Sequence, residues 1–173
     1  MNETIVDVIY KRNQKILTFL DTNNEITFRS DFELQSAKNL LLSIASFFET
    51  LICGLIVQFA KRTSSGNNVL CSFVQKKAVT RQYHTFFAWE AKNANQFFSL
   101  FGEEFKEKCQ AQVRSDAKLE ESIRAFLELG NTRNELVHLN FAEYQLSKTS
   151  EEYYTLYKQS WRFIDFIQKE ILC

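Results

Sequence analysis

The near absence of proline and glycine is the strongest constraint on the fold of this chain. Its 173 residues contain no proline and only four glycines, whereas average usage is about 5% proline and about 7% glycine. Tight turns must therefore be few, and proline-rich linkers and low-complexity spacers are excluded. With 45% hydrophobic residues, including seventeen phenylalanines, the sequence predicts an all-α fold and a single helical domain over residues 1–173.

The spacing of apolar residues predicts where the helices lie. A first helix is expected over 3–20, followed by a connection, and a long helix begins at Asp31 or Ser36 and ends near Arg62. A polar loop at 63–68 separates this central helix from the second half of the chain. There the expected helices cover 69–79, 83–99, 103–113, 116–129 and 150–171, and Gly130 is expected to end the fourth of these.

Part of the central helix is apolar enough to raise the question of a membrane. The stretch from Leu40 to Ala60 is almost continuously apolar and about long enough to cross a bilayer. It contains Glu49 near its middle, and an acid at the bilayer centre costs about 2.5–3.5 kcal/mol. A core helix therefore explains the stretch better than a membrane anchor. Residues 1–7 are polar and acidic and resemble no signal peptide, so we expect a cytoplasmic protein with no membrane partner.

The sequence gives no sign of a metal or cofactor site. The four cysteines, Cys53, Cys71, Cys109 and Cys173, form no C-x-x-C pair, and the chain has only two histidines. These features argue against a zinc site and favour free thiols in a reducing compartment. The sequence also lacks a P-loop, a G-x-S-x-G elbow and a G-x-G-x-x-G fingerprint. We therefore expect no metal and no cofactor.

Charge is balanced overall but unevenly distributed along the chain. Lysine plus arginine and aspartate plus glutamate each number 21. No acidic residue lies between Glu49 and Glu90, yet that segment carries five cations, namely Lys61, Arg62, Lys76, Lys77 and Arg81. Such segregation predicts a basic face that contacts a polyanion such as RNA, the alternative being an ordinary solvated face.

The segment GNTRNELVH, which ends at His138, is the most informative part of the sequence for function. Thr132 and Glu135 have capping-box spacing, which predicts that a new helix begins here. Arg133 and Asn134 would then occupy its first turn. Free backbone N–H groups and the helix dipole favour an anion at that position, and a guanidinium adds a bidentate phosphate donor.

Arg133 and His138 need not meet within one chain. They are five positions apart, so on an ideal helix their side chains point about 140° apart. If two copies pack about a two-fold axis through this segment, arginines and histidines from both chains can line one cleft.

The pattern Arg133-Asn134 to His138 resembles the R-x4–6-H motif of the HEPN superfamily (higher eukaryotes and prokaryotes nucleotide-binding). The apolar central helix with its acid (Ser46-Phe-Phe-Glu-Thr50) and the segment Phe98-Ser-Leu-Phe-Gly102 extend the resemblance. The chain looks most like the RiboL-PSP branch or a closely similar branch, from about residue 30 to its end.

The resemblance implies a helical bundle with a four-helix core plus extra helices, which dimerises through the motif face. It implies metal-independent RNA cleavage that yields a 2′,3′-cyclic phosphate and a 5′-hydroxyl. His138 would be the general acid or base, Arg133 would hold the scissile phosphate, and Asn134 would orient one of them. Glu49 would orient Arg133 or tune His138, or alternatively form a structural ion pair.

The biological role that the resemblance implies is that of a bacterial toxin or antiphage-defence effector. Its partners would be RNA, a second copy of the chain, and a cognate antitoxin or another defence protein. The superfamily also includes members that lost activity, so an inactive scaffold or regulatory subunit is the alternative. The second histidine, His84, lies among aromatic residues and is expected to pack or stack on RNA and not to take part in catalysis.

Overall fold

The computed structural model describes residues 3–172, which form seven α-helices and no β-strand. The helices are α1 (Ile5–Thr22), α2 (Ile26–Thr63), α3 (Asn68–Phe73), α4 (Asn95–Ser99), α5 (Glu103–Ser115), α6 (Ala117–His138) and α7 (Ser150–Leu172). A π-helical turn (Val74–Val79) continues α3, and a 3₁₀ turn covers Tyr83–Thr85. The predicted all-α class is confirmed.

The chain divides into two compact units, which we describe separately. Unit 1 comprises the residues up to Phe47 together with Leu129–Lys158, and unit 2 comprises Phe48–Glu128 and the residues from Gln159 onward. Unit 1 thus contains α1 and segments of the other three long helices. Its core includes Leu40, Leu41, Ile44, Leu136, Tyr153 and Tyr157.

The N-terminus of α1 is fastened to α7 through one buried carboxylate in unit 1. Thr4 and Asp7 form a reciprocal capping box. The other oxygen of Asp7 accepts hydrogen bonds from the Tyr154 hydroxyl (2.6 Å) and from Lys158 Nζ (2.9 Å). Burial would raise the pKa of Asp7, but the hydrogen bonds from Lys158, Tyr154 and Thr4 outweigh it and hold that pKa far below its usual value.

Unit 2 has an aromatic core, as the phenylalanine content predicts. The rings of Phe87 and Phe97 stack with centroids 4.8 Å apart, and Phe126 meets Phe163 edge-on at 5.1 Å. The backbone N–H of Phe163 donates to the buried Ser122 hydroxyl at 2.7 Å. Edge-to-face and stacked pairs of this kind stabilise a core beyond their area burial.

Helix α2 is long and apolar enough to cross a membrane by length and composition. Buried core helices of soluble proteins pass the same test. Within unit 1 its residues Leu40, Leu41 and Ile44 have no exposed surface, and within unit 2 the same is true of Ile52. Of its apolar 18-residue window, 39% is buried, and the expectation of a core helix without membrane contact stays a prediction.

Two predicted helix boundaries are wrong. In both regions the apolar residues do not lie along one buried face of a helix, so their spacing does not indicate where the helix is. Residues 25–32 were expected to be a connection, but α2 already begins at Ile26, where Ile26 and Phe28 are 78% and 64% exposed. The predicted helix over 83–99 is helical only at its two ends. Between them Phe86 and Phe87 are buried in irregular backbone.

The most consequential error concerns Gly130, which does not end a helix, and Thr132, which does not begin one. Helix α6 runs without interruption from Ala117 to His138. Its buried stripe continues through Leu129 and Leu136, at 1% and 0% exposure, seven residues and therefore two turns apart. A glycine inside a helix costs only about 1 kcal/mol, which this packing offsets.

Candidate active site at the end of helix α6

The Arg133, Asn134 and His138 motif lies in the last two turns of α6, within unit 1. Arg133 and Asn134 are half-buried, whereas His138, the final residue of the helix, is exposed. The last turn of a helix has unpaired carbonyl groups and the negative end of the dipole. The predicted anion site at a helix N-terminus is therefore wrong, and a phosphate would have to be bound by side chains.

The Arg133 guanidinium is available for such a contact. Its Nη1 donates to the Asn134 side-chain oxygen at 3.1 Å. Among residues 3–172, no carboxylate lies within 4.0 Å of Arg133 to form an ion pair. A half-buried guanidinium that is hydrogen-bonded only to a neutral amide retains most of its five donors and its full charge for an incoming anion.

Glu135, the nearest acid in sequence, is committed elsewhere. Its two oxygens accept hydrogen bonds from the Asn131 side chain at 2.8 Å and from the Tyr144 hydroxyl at 2.5 Å. The hydrogen bond to Glu135 is the main reason that the pKa of Tyr144 rises to about 12, with burial as the second. This arrangement holds the loop after α6 against the turn that carries His138.

The same loop is fixed to α2 by a buried lysine. Lys38 is 5% exposed, and its Nζ donates to the backbone oxygens of Phe141 (2.7 Å) and Ala142 (3.4 Å). The ammonium also lies 5.1 Å from the centroid of the Phe141 ring, a cation–π distance. Lys38 and Tyr144 are positioning residues that the sequence analysis did not identify, although a lysine beside Ala37 in a buried stripe was a usable signal.

Arg133 and His138 are separated within one chain because both lie on the continuous helix α6. Five residues of regular α-helix place the two side chains about 140° apart around the axis and about 7.5 Å apart along it. Asn134 and His138, four residues apart, share one face. The continuous helix thus keeps Arg133 and His138 on different faces, and Asn134 lies between them.

Glu49 belongs to unit 2, whereas the motif belongs to unit 1. Glu49 is half-buried. Burial is the main cause that raises the pKa of the Cys53 thiol, one helical turn further along, and the negative charge of Glu49 raises it further. The role of Glu49 in orienting Arg133 or tuning His138 stays a prediction.

The five basic residues of the acid-free segment, Lys61, Arg62, Lys76, Lys77 and Arg81, are all exposed in unit 2. Lys77 lines an apolar pocket, and contact of these residues with RNA stays a prediction. His84 is exposed, and its backbone oxygen accepts a hydrogen bond from the Trp89 indole at 2.9 Å. No packing or catalytic role of its imidazole follows from this contact.

Cysteines and potential metal ligands form no cluster in the part of the chain that the structure describes. Cys53, Cys71 and Cys109 are free thiols, and burial is the main cause that raises the pKa of Cys109 to about 11. Cys173 lies outside the described residues. No group of three or more histidine, cysteine, aspartate or glutamate side chains within residues 3–172 could hold a metal ion.

Comparison with known proteins assigns the chain to a family. The model of the RiboL-PSP-HEPN family matches residues 7–172, which is nearly the whole chain. No curated protein and no solved structure matches it significantly. The match covers all seven helices except the first two residues of α1. The chain therefore belongs to the RiboL-PSP-HEPN family of the HEPN superfamily.

Proposed function

We propose that this protein is a metal-independent endoribonuclease of the HEPN type. Membership of the family suggests a nuclease or a related role. The observation that carries the finer proposal is the half-buried Arg133 guanidinium, which has no acidic partner among the described residues and precedes the exposed His138 by five positions. A cation without a counter-ion, on the same helix as a side chain that can transfer protons, suits phosphodiester chemistry once two chains bring the two groups together.

In the proposed reaction, neutral His138 removes the proton from a ribose 2′-hydroxyl. The 2′-oxygen attacks the adjacent phosphorus, and the bond from phosphorus to the 5′-oxygen breaks. The protonated His138 gives this proton to the leaving 5′-oxygen, so that the products are a 2′,3′-cyclic phosphate and a 5′-hydroxyl. Arg133 stabilises the charge that develops on the non-bridging oxygens, and Asn134 holds the guanidinium through their hydrogen bond.

The active unit that we propose is a homodimer. Because Arg133 and His138 diverge by about 140° on one helix, one phosphate would be held by Arg133 of one chain and attacked with help from His138 of the other. Apolar side chains beside the motif support such packing, since Val137, Leu139 and Phe141 are 42%, 57% and 39% exposed. Exposed apolar residues that cluster often mark an interface.

We infer that the nuclease acts in the cytoplasm as a toxin or antiphage-defence effector under the control of a partner protein. The second candidate is a catalytically inactive scaffold or regulatory subunit of the same family. The free guanidinium of Arg133 favours the enzyme, because a scaffold has no need for an unpaired cation at a half-buried position.

Cleavage of total cellular RNA by the purified protein in EDTA tests the proposal. We expect cleavage by the parent and loss of at least 100-fold in Arg133→Ala and in His138→Ala. The matched control is Arg124→Ala, which changes an exposed arginine on the same helix. It should cleave like the parent. Because the downstream fragment would carry a 5′-hydroxyl, a polynucleotide kinase should phosphorylate it without prior phosphatase treatment.

Two results would contradict the proposal. The first is a folded dimer that leaves every RNA intact, both alone and when co-expressed with a protein encoded by an adjacent gene. This result would favour the inactive scaffold. The second is cleavage that survives both motif substitutions, which would show that the activity arises elsewhere.

A further inference from the structure

Unit 2 contains an apolar pocket of about 440 Å³ that lies far along the chain from the motif. It lies where the C-terminal part of α2, helix α3 with its π-helical turn, and the residues that precede α5 come together. Its apolar lining consists of Ile56, Phe59, Ala60, Leu70, Val74, Ala78, Phe86, Leu100 and Phe101. The volume is within the range of about 300–1,000 Å³ that ligand-binding pockets occupy.

Large apolar side chains remain exposed at and beside this pocket. Leu70 and Leu100, which line it, are 46% and 53% exposed. On α3, Val69 and Phe73 are 81% and 61% exposed and are one turn apart. Single exposed apolar residues are common, but several together beside an apolar concavity mark an interaction surface.

The lining of the pocket contains one charged side chain, Lys77, and the exposed acids Glu103 and Glu104 follow the lining residue Phe101. Lys61 and Arg62 follow the lining residue Ala60 on α2 but, at 100° per residue, lie off the face of the helix that lines the pocket. All three cations are exposed, and none has a carboxylate partner among the described residues. An occupant that is complementary to this surface must combine large apolar groups with negative charge.

We propose that this pocket is the docking site for an acidic, amphipathic segment of another protein. Its large apolar side chains fill the pocket and cover Leu70 and Leu100, and a carboxylate of the segment pairs with Lys77. An RNA strand would gain from the cations but would leave the apolar walls without a partner, since its phosphates prefer charged and polar donors. A lipid surface is flat on this scale and would not fill a concave pocket.

The test measures binding of designed peptides by fluorescence anisotropy. The probe is a labelled 16-residue helical peptide with leucine and phenylalanine along one face and glutamate elsewhere, and its counterpart has lysine in place of every glutamate. We expect the acidic peptide to bind at least tenfold more tightly than the basic one. Leu70→Ser and Lys77→Glu should each weaken its binding at least tenfold. The controls Phe19→Ser and Lys15→Glu change exposed residues of α1 and should alter binding less than twofold.

Three outcomes would overturn the proposal. The first is failure of the acidic peptide to bind at 1 mM, and the second is equal binding of both peptides or insensitivity to Leu70→Ser. The third is displacement of the peptide by a 20-nucleotide polyuridine, or by vesicles with anionic lipid, whose own binding depends on Lys77. No RNA cleavage enters these measurements, so their result is separate from that of the proposed nuclease function.

Discussion

The divergence of Arg133 and His138 on α6 makes a strict prediction for dimers whose two chains differ. If one phosphate is served by Arg133 of one chain and His138 of the other, a two-fold dimer has two such sites. A heterodimer of an Arg133→Ala chain and a His138→Ala chain keeps one complete site and loses the other. Its rate per dimer should be about half that of the parent, whereas each variant homodimer should lose about 100-fold to 10,000-fold.

A second heterodimer serves as the matched control. When a parent chain is paired with a chain that carries both substitutions, each composite site lacks either its arginine or its histidine. This dimer should be as inactive as the variant homodimers. If both residues of one chain instead acted together, the two heterodimers would exchange results, because only the parent chain would then supply a complete site.

The assay requires heterodimers of defined composition. Two chains with different affinity tags are co-expressed and purified over both tags in succession, and cleavage of end-labelled RNA is followed in EDTA. An inactive first heterodimer together with a half-active second one would refute the inference drawn from helix geometry. If the chains exchanged at random during the assay, both preparations would cleave at about one quarter of the parent rate, and a rerun of the tag purification detects such exchange.

Three further predictions concern stability and local order. Asp7→Asn should lower the free energy of unfolding in urea by about 2–3 kcal/mol. Because the folded pKa of Asp7 is depressed, its stabilisation is present above the unfolded pKa of about 3.9 and is lost as the pH falls below it. The parent should therefore lose its advantage over the variant in acid, and a constant difference would contradict this assignment. Lys38→Met should speed hydrogen exchange of the amides in 139–149 without altering α1, and uniform exchange would contradict its role. Gly54→Ala should stabilise α2 by about 0.5–1 kcal/mol, whereas Gly66→Ala, at φ +80°, should destabilise by about 1 kcal/mol, and equal effects would contradict the argument.

Much of the fold could be predicted because most helices have a buried stripe with clear periodicity. The end of α2 and the starts of α5, α6 and α7 agree with expectation to within about one residue. The capping-box pattern that wrongly predicted a helix start at Thr132 can be compared with a second copy of the pattern in this chain. The pattern T-x-x-E also occurs at Thr149, and there the capping box forms, with Thr149 N donating to Glu152 at 2.8 Å and Glu152 N donating back at 3.3 Å.

What separates the two threonines is the packing on either side of them. Before Thr149 the chain is a loop, so a cap is needed where α7 begins. Before Thr132 the buried stripe of α6 is already in place, and breaking the helix would expose Leu129 or Leu136. Burial of one leucine is worth about 1.5–3 kcal/mol, more than a cap contributes. A local motif therefore loses to a tertiary contact that the local sequence does not reveal.

The candidate site was only partly predictable for the same reason. The spacing of Arg133, Asn134 and His138 is a local property that the sequence displays directly. The contacts that fix the end of α6 are not local, since Tyr144 reaches back nine residues to Glu135 and Lys38 reaches the backbone of Phe141, 103 residues away. Such pairings depend on which helices become neighbours, and periodicity alone does not specify that.

The partners of the carboxylates in unit 1 support a functional role for Arg133 over a structural one. Asp7 pairs with Lys158, Glu135 with Tyr144, and Glu33 with the N-terminus of α7 at Ser150, 2.9 Å away, yet none of the described acids pairs with Arg133.

A half-buried cation without a counter-ion is a cost to the folded state, so Arg133→Leu should leave the free energy of unfolding unchanged or raise it by about 1 kcal/mol while RNA cleavage is lost. Arg124→Leu, on the exposed face of the same helix, is the matched control and should keep cleavage. If Arg133→Leu instead lowered the stability by about 2 kcal/mol or more, the guanidinium would be a structural element. The phosphate-binding role would then lose the observation on which it rests.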